Sequence, residues 1–401
     1  MYPYYLYYGL PKLSEHKVWA EIDTGALKEN YKRLCNLSPN AKHICVVKAD
    51  AYGHACEICV KALLDVGCDF FAVSCIEEAL AVRSYCQGAK ADILILGYTS
   101  PNQVEKLVSE DIIQTVISED YAKSLAKSAR SIGCRPRVHI AIDTGMNRIG
   151  ICAENDEECC SAIEFVSNLI KSDDFSVEGI FTHFAQADEE YEAAVAESSR
   201  TREQFIKFDA LRSGLAKKGI VLFSHACNSA GALRFPEYSC DGIRLGISLY
   251  GVKPSEHFED ITKPVMSLHA KISHIHTVSA GDKVSYGGKY APDTDRTIAT
   301  LPIGYADGFL RAFKGFSVTV ETTSGKYKAT VVGNVCMDQC MIDVTDIPTK
   351  VGDVVTVFGD DSEDISTLAH MADTIEYEIL CLISARVPRI IKQEKASEDQ
   401  L

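Results

Sequence analysis

The sequence contains no run of about 18 consecutive apolar residues, which excludes a membrane-crossing helix. Positive charge is scarce. Lysine and arginine total 41 against 56 aspartates and glutamates, a net charge of −15. A general nucleic-acid binder normally carries a basic face, so that class is disfavoured. Cys56 and Cys59 form a Cys-x-x-Cys pair, but no second pair or histidine pair follows at zinc-finger spacing, and no metal is expected. The first residues, MYPYYLYYGLPKL, lack the basic and apolar regions of a secretory signal. Their tyrosines predict an ordered arm or an interface strap over residues 1–17. Low-complexity tracts and short-period repeats are missing too.

What is present is globular. The apolar fraction of 46% and charged fraction of 24% sit at ordinary values for a folded protein. Sixteen cysteines without a framework of spacings read as reduced thiols, and a cytoplasmic location is the expectation. At roughly 150 residues per domain, 401 residues predict two or three domains, although one barrel can absorb about 250.

From residue 43 short apolar, β-branched runs alternate with longer amphipathic stretches. The runs cover 44–49, 70–74, 93–97, 112–117, 137–143, 177–184, 220–227 and 242–251. Segments with helical periodicity lie between them, for example 57–67 and 200–219. Strands apolar on both faces and separated by helices form a parallel sheet. Eight such units predict a closed (β/α)8 barrel over 18–255, with its chemistry at the C-terminal strand ends. After Gly251 alternating runs follow one another with tight turns at Ala280-Gly281-Asp282 and Ser324-Gly325. An antiparallel β domain is expected over 256–391, closed by one late helix and the extended RVPRII, with a tail at 392–401. The strand-like VWAEID at 18–23 is expected to pair with this β domain.

Several polar residues stand at the predicted strand ends. Lys48 closes the first strand, where burying an ammonium is costly. It reads either as a snorkelling side chain or as a Schiff-base lysine made nucleophilic by desolvation. Arg148 follows the fifth strand, His183 ends the sixth, Asn228 and Ser229 open a helix after the seventh, and Arg244 lies within the eighth, before Gly246 and Ile247. Each has a plain structural account: a satisfied core histidine, a helix cap, an ion pair. Together they suggest more. A helix start and glycine backbone beyond strands seven and eight form the barrel's usual phosphate cradle. With a nucleophilic lysine and a cationic strand residue, the set points to pyridoxal phosphate.

The segments VVKADAYGHA, DTGMNRIG, THFAQADE, CNSAG, GIRLGISLYG, VSYGGKY, LPIGYADGF, VCMDQCMIDVT and ARVPR resemble the motifs of bacterial alanine racemases. The resemblance extends from about residue 18 to 391. It implies an amino-acid racemase that interconverts L- and D-alanine with pyridoxal 5'-phosphate. Lys48 would hold the cofactor and act as base and acid on one face of the substrate. Tyr286 would be the opposite base, delivered from the partner subunit, so the active form would be a head-to-tail homodimer. Arg244 would hydrogen-bond the pyridine nitrogen, His183 would link Arg244 to Tyr286, and Arg148 would contact the phenolic oxygen and the substrate side. Tyr52, Asn228, Ser229, Gly246 and Ile247 would surround the phosphate, and Met337 would meet the substrate carboxylate.

Three positions depart from the family pattern. Ala141 stands where the family often has a lysine that becomes carbamylated, so Arg148 needs another partner, for example chloride. Ala385 replaces a tyrosine that touches the phosphate, and Asn334 replaces an arginine at the mouth. A wider pocket follows, with serine accepted beside alanine. Two rivals remain in view. A pyridoxal-phosphate decarboxylase of the same layout would put a glutamate against the pyridine nitrogen and carry a glycine-rich phosphate loop. A non-catalytic cofactor-binding barrel would need neither Tyr286 nor the residues after Gly251.

Overall fold

The computed structural model describes residues 16–359 and 363–392, so most of the expected N-terminal arm and of the tail lies outside the described residues. Thr24–Lys263 form one compact unit, and the described residues up to Asp23 and from Pro264 onward form another. Among the described residues no helix is long and apolar enough to cross a membrane.

The first unit is the closed barrel expected from the sequence. After β1 (Val18–Ile22), its strands are β2 (Lys42–Val46), β3 (Phe70–Val73), β4 (Asp92–Ile95), β5 (Ile113–Val116), β6 (Arg137–Asp143), β8 (Ser176–Phe181), β9 (Phe223–His225) and β10 (Gly242–Leu245), with the two-residue β7 (Ile151–Cys152) beside β6. They pair in parallel in the order β5-β4-β3-β2-β10-β9-β8-β6, and β5 pairs with β6 to close the ring. The reason lies in the side chains. Ile93, Leu94, Ile95, Phe71, Ala72 and Val73 are completely buried, as a strand covered on both faces requires. Helices start where a short polar side chain can take an orphan amide. Ser118 accepts from Tyr121 N and Asn155 from Glu158 N, each close to 3 Å.

Several boundaries differ from the sequence reading. The seventh strand is only Phe223–His225, and the eighth ends at Leu245, where Gly246 turns the chain into a 3-10 helix, Ile247–Tyr250. Apolar residues continue past both ends because they pack in loops and turns, and apolarity alone cannot separate those from strand. The CxxC pair is structural: Cys56 and Cys59 are buried, burial raises both thiols, and Cys59 Sγ donates to the His54 carbonyl at 3.6 Å.

The second unit is one nine-stranded sheet. It contains β11 (Met266–Lys271), β12 (His274–Val278), β13 (Arg296–Leu301), β14 (Ser317–Thr322), β15 (Gly325–Val332), β16 (Cys340–Asp343), β17 (Val354–Phe358) and β18 (Arg389–Ile391), in the order β12-β13-β16-β15-β14-β17-β11-β1-β18. β1 pairs antiparallel with β11 and parallel with β18. The late helix is two helices, Glu363–Met371 and Glu376–Leu382. Asp373 takes a left-handed backbone (φ 53°) and Thr374 N bonds the Ala369 carbonyl at 3.0 Å, which ends the first helix before the second can begin.

Candidate active site

The segment after β2 sets the geometry of Lys48. The strand ends at Val46, earlier than the sequence suggested, because Val47 leaves the extended conformation while its amide bonds the Ala72 carbonyl at 2.9 Å. Lys48, half-buried, then opens a turn in which Ala49, Asp50, Ala51 and Tyr52 all have φ between 52° and 56°. This is a turn of left-handed helix, with Ala51 N bonded to Val47 O and Gly53 N to Ala49 O. Each non-glycine residue there costs roughly 1–2 kcal/mol, so something must hold it. Glu78 supplies the clamp. Its carboxylate accepts from Ala49 N at 2.7 Å and from both Ser74 N and Ser74 Oγ at 2.8 Å. On the other side Asp50 accepts from Cys56 N at 2.7 Å.

Arg244 occupies the barrel interior on β10 and is 3% exposed. Its Nη1 donates to Nδ1 of His225 at 2.7 Å, and its Nη2 donates to the carbonyls of Thr182 and Ala226 at 2.8 Å and to Nδ1 of His183 at 3.2 Å. The guanidinium also lies 5.3 Å from the centre of the Phe181 ring. Burial pushes its pKa down to about 10, so it stays charged at neutral pH. Both histidines stay neutral. Burial holds His183 well below the usual imidazole range, and the charges of Arg244, Arg148 and Lys48 push it further. His225 is lowered by burial and then by Arg244. Since arginine only donates, each ring must accept on Nδ1 and carry its proton on Nε2.

His183 sits two residues past the end of β8, not at its tip. Arg148 lies in the loop after β6, which Asp143 shapes by accepting from the amides of Gly145, Met146 and Asn147 with one oxygen. Arg148 is exposed, and among the described residues nothing hydrogen-bonds its guanidinium. Ala141, on β6, is buried and pairs with Phe181.

Beyond β9 and β10, three groups surround a small space. Gly246 N donates to Ser229 Oγ at 2.9 Å. A Cβ added at Gly246 would lie 2.8 Å from the Tyr52 hydroxyl and 3.7 Å from Ser229 Oγ. Glycine therefore keeps open a pocket that two hydroxyls face. Asn228 caps the short helix Ser229–Arg234, its Oδ1 accepting from Gly231 N at 2.9 Å, and Ile247 is buried behind.

In the second unit the remaining residues gather on one face. Tyr286, 68% exposed, follows Ser285, whose backbone has φ 65°. Ser285 Oγ donates to the Asn334 carbonyl and Asn334 Nδ2 donates to the Tyr286 carbonyl, both at 2.6 Å. Val278, Val284, Ile298 and Val332 form the core beneath these two loops. Met337, 54% exposed, is tied to Tyr305 and Ala306 by amides that donate to the carbonyls of Cys336 and Met337. A Cβ at Gly304 would lie 2.3 Å from the Cys336 carbonyl oxygen, so only glycine permits this approach. Asp307, buried, braces the loop through Gly304 N at 2.9 Å and Arg386 Nε at 2.8 Å.

These two arrangements fall in segments that match known domains: alanine racemase, N-terminal domain, over residues 22–254, and alanine racemase, C-terminal domain, over residues 265–391. The chain belongs to the alanine racemase family. An alanine racemase of Methanococcus maripaludis is 40% identical over 384 residues, covering 94% of this chain and 98% of the relative. Another, from Clostridium perfringens, is 41% identical and covers 94% and 95%. Among solved structures, an alanine racemase of Clostridium difficile superposes with a TM-score of 0.84 at 36% identity, covering 94% of this chain and 96% of that one.

Within this alanine racemase family chain, Lys48, Tyr52, Arg148, His183, Asn228, Ser229, Arg244, Gly246 and Ile247 all lie in the barrel unit, where His183 meets Arg244 and both Tyr52 and Ser229 meet Gly246. Tyr286, Asn334 and Met337 gather in the other. Sequence reasoning missed His225 and Glu78. His225 lies inside the apolar run 220–227, where a histidine among apolar residues reads as ordinary core. Glu78 carries no local signal, because its partners Ser74 and Ala49 come from two different strand ends.

Proposed function

We propose that this protein interconverts L- and D-alanine with pyridoxal 5'-phosphate, using Lys48 on one face of the substrate Cα and Tyr286 of the partner subunit on the other. The observation that carries the reading is the buried, charged Arg244 bonded to two neutral histidines, in a barrel whose Lys48 charge also reaches His183 and whose Gly246 opens a cradle faced by hydroxyls. The residues present fit the cofactor. Tyr52, Ser229 and the Gly246 backbone offer donors for a phosphate, and the missing Cβ at Gly246 leaves it room. When bound, the cofactor supplies an electron sink for the charge left at Cα.

The protein's own groups do the rest. Racemisation removes a proton from one face and returns one to the other, so two bases are needed. Lysine and tyrosine both have free values of about 10, and each must be tuned toward neutrality. Arg148 is exposed, and its charge reaches His183. His183 gives its Nδ1 to Arg244 and presents Nε2–H for a further bond. Arg244 would face the pyridine nitrogen as a donor that does not give up its proton; a nitrogen left unprotonated would make the bound cofactor a weaker sink, with less leakage into transamination. A glutamate at that position would do the opposite, which is why a decarboxylase is disfavoured.

The test is incubation of the purified protein with single L-amino acids and resolution of the enantiomers formed. D-Alanine is expected; neither D-alanine nor D-serine would overturn the assignment. Gly246→Ala is expected to weaken pyridoxal-phosphate binding at least about tenfold, because its Cβ meets the Tyr52 hydroxyl. Cofactor titration followed by absorbance reads this, and unchanged affinity would remove the cradle from the argument. Serine is expected as a second substrate, since small Ala385 and Asn334 replace larger side chains and Asn334 is occupied with the Tyr286 carbonyl. A serine-to-alanine ratio of kcat/KM above about 10⁻³ is the expected result, a discrimination of only a few kcal/mol. A lower ratio sinks it.

A further inference from the structure

Arg244 also bonds a second histidine, His225, which is completely buried. Nε2 of His225 lies 3.1 Å from Nδ1 of His139, a residue of β6 that is 2% exposed. The direction of this bond follows from Arg244. Because the guanidinium can only donate, Nδ1 of His225 accepts and its Nε2 carries the proton. That proton points at His139, whose Nδ1 must therefore accept. Burial keeps His139 uncharged, pushing it down to about 3. The donations run one way, from Arg244 to His225 to His139.

The barrel is shaped to admit this ring. A Cβ added to Gly179 on β8 would lie 2.6 Å from Cε1 and 2.8 Å from Nδ1 of His139. No side chain other than hydrogen leaves space there. Phe70 and Phe223 wall the ring at centroid distances of 6.2 and 5.9 Å, and Phe181 stacks on His225 at 4.8 Å. In this apolar setting a histidine that needed only to fill volume would be replaceable by phenylalanine. One that must accept a proton would not.

We propose that His139, given room by Gly179, is a positioning residue that locks His225 in the tautomer presenting a bare Nδ1 to Arg244. Arg244 favours that tautomer but leaves the Nε2–H of His225 to be satisfied; without the His139 acceptor this proton is buried and unpaired, a penalty that competes with the Arg244 preference and draws the proton toward Nδ1, against the guanidinium. The link to catalysis rests on the proposal that Arg244 faces the pyridine nitrogen; the tautomer lock itself does not.

The experiment uses the full chain with ¹⁵N-labelled histidine, first without cofactor. In the wild type, the ring nitrogens of His225 and His139 are expected to report Nε2–H and bare Nδ1 from pH 6 to 8 (about the range in which free imidazole titrates). His139→Phe is expected to put His225 into a tautomer mixture, whereas His139→Gln, which keeps an acceptor, restores the single form. Gly179→Ala crowds the same ring and serves if His139→Phe does not fold; it is expected to give the mixture. A second readout uses the cofactor-loaded protein: pyruvate formed from L-alanine, with the amino group left on the cofactor, per racemisation event. That ratio is expected to rise about tenfold or more in His139→Phe and to stay near wild type in His139→Gln. An Nδ1–H form of His225 in the wild type, equal behaviour of the Phe and Gln variants, or a tautomer change with an unchanged ratio would each overturn the proposal. Failure of the wild type to form D-alanine would instead sink the functional reading, while the cofactor-free spectra still test the lock.

Discussion

Lys48→Ala is expected to lower kcat for alanine racemisation by about 10⁴-fold or more, with the fold intact. In the proposed role Lys48 both holds the cofactor and moves a proton, so its loss would remove two contributions at once, and single general acid–base groups alone contribute about 10²–10⁴. The fold should survive because backbone bonds and the Glu78 carboxylate hold the turn after Lys48. Kinetics, with circular dichroism and Tm as controls, check it. Residual activity within about tenfold of wild type would remove Lys48 from the reaction.

The second large effect concerns Tyr286. Tyr286→Phe alone is expected to cost about 10³-fold, since no proton remains to be moved on its face of the substrate. The informative experiment mixes this variant with Lys48→Ala after unfolding both. If each site takes its lysine from one subunit and its tyrosine from the other, half of randomly paired dimers are mixed and each has one intact site. Activity should then recover to roughly a quarter of wild type. Demonstrated mixed dimers with no recovery would sink the shared site. Recovery would also set apart the second reading, a cofactor-binding barrel without catalysis, for which neither variant has any activity to lose.

The barrel was readable because its strands are apolar on both faces and its helices are amphipathic; strand count and closure both follow from that alternation. What escaped was local and depended on distant partners. Nothing in KADAY announces a left-handed turn, since the first glycine comes only at Gly53 and the conformation is imposed by Glu78, 30 residues after Lys48 in a different element. The split of the late helix at Asp373 escaped for a related reason, as an aspartate in a polar patch of an amphipathic pattern costs a helix little. His139 and His225 each lie inside an apolar run, 137–143 and 220–227, but only their approach within the barrel makes them a pair.

The left-handed turn bears on transplantation. Copying Lys48, Tyr52 and Arg244 into another (β/α)8 barrel would carry over side chains of the proposed site but not the backbone that holds the first two. In a host lacking the Ser74–Glu78 pair and Asp50's bond to Cys56, the segment is expected to relax to a right-handed turn, which would rotate the Lys48 and Tyr52 side chains away from one another. The smallest portable unit of the proposed site is therefore not a set of residues but two neighbouring strand ends, β2 and β3, together with the first turn of the helix that follows the second.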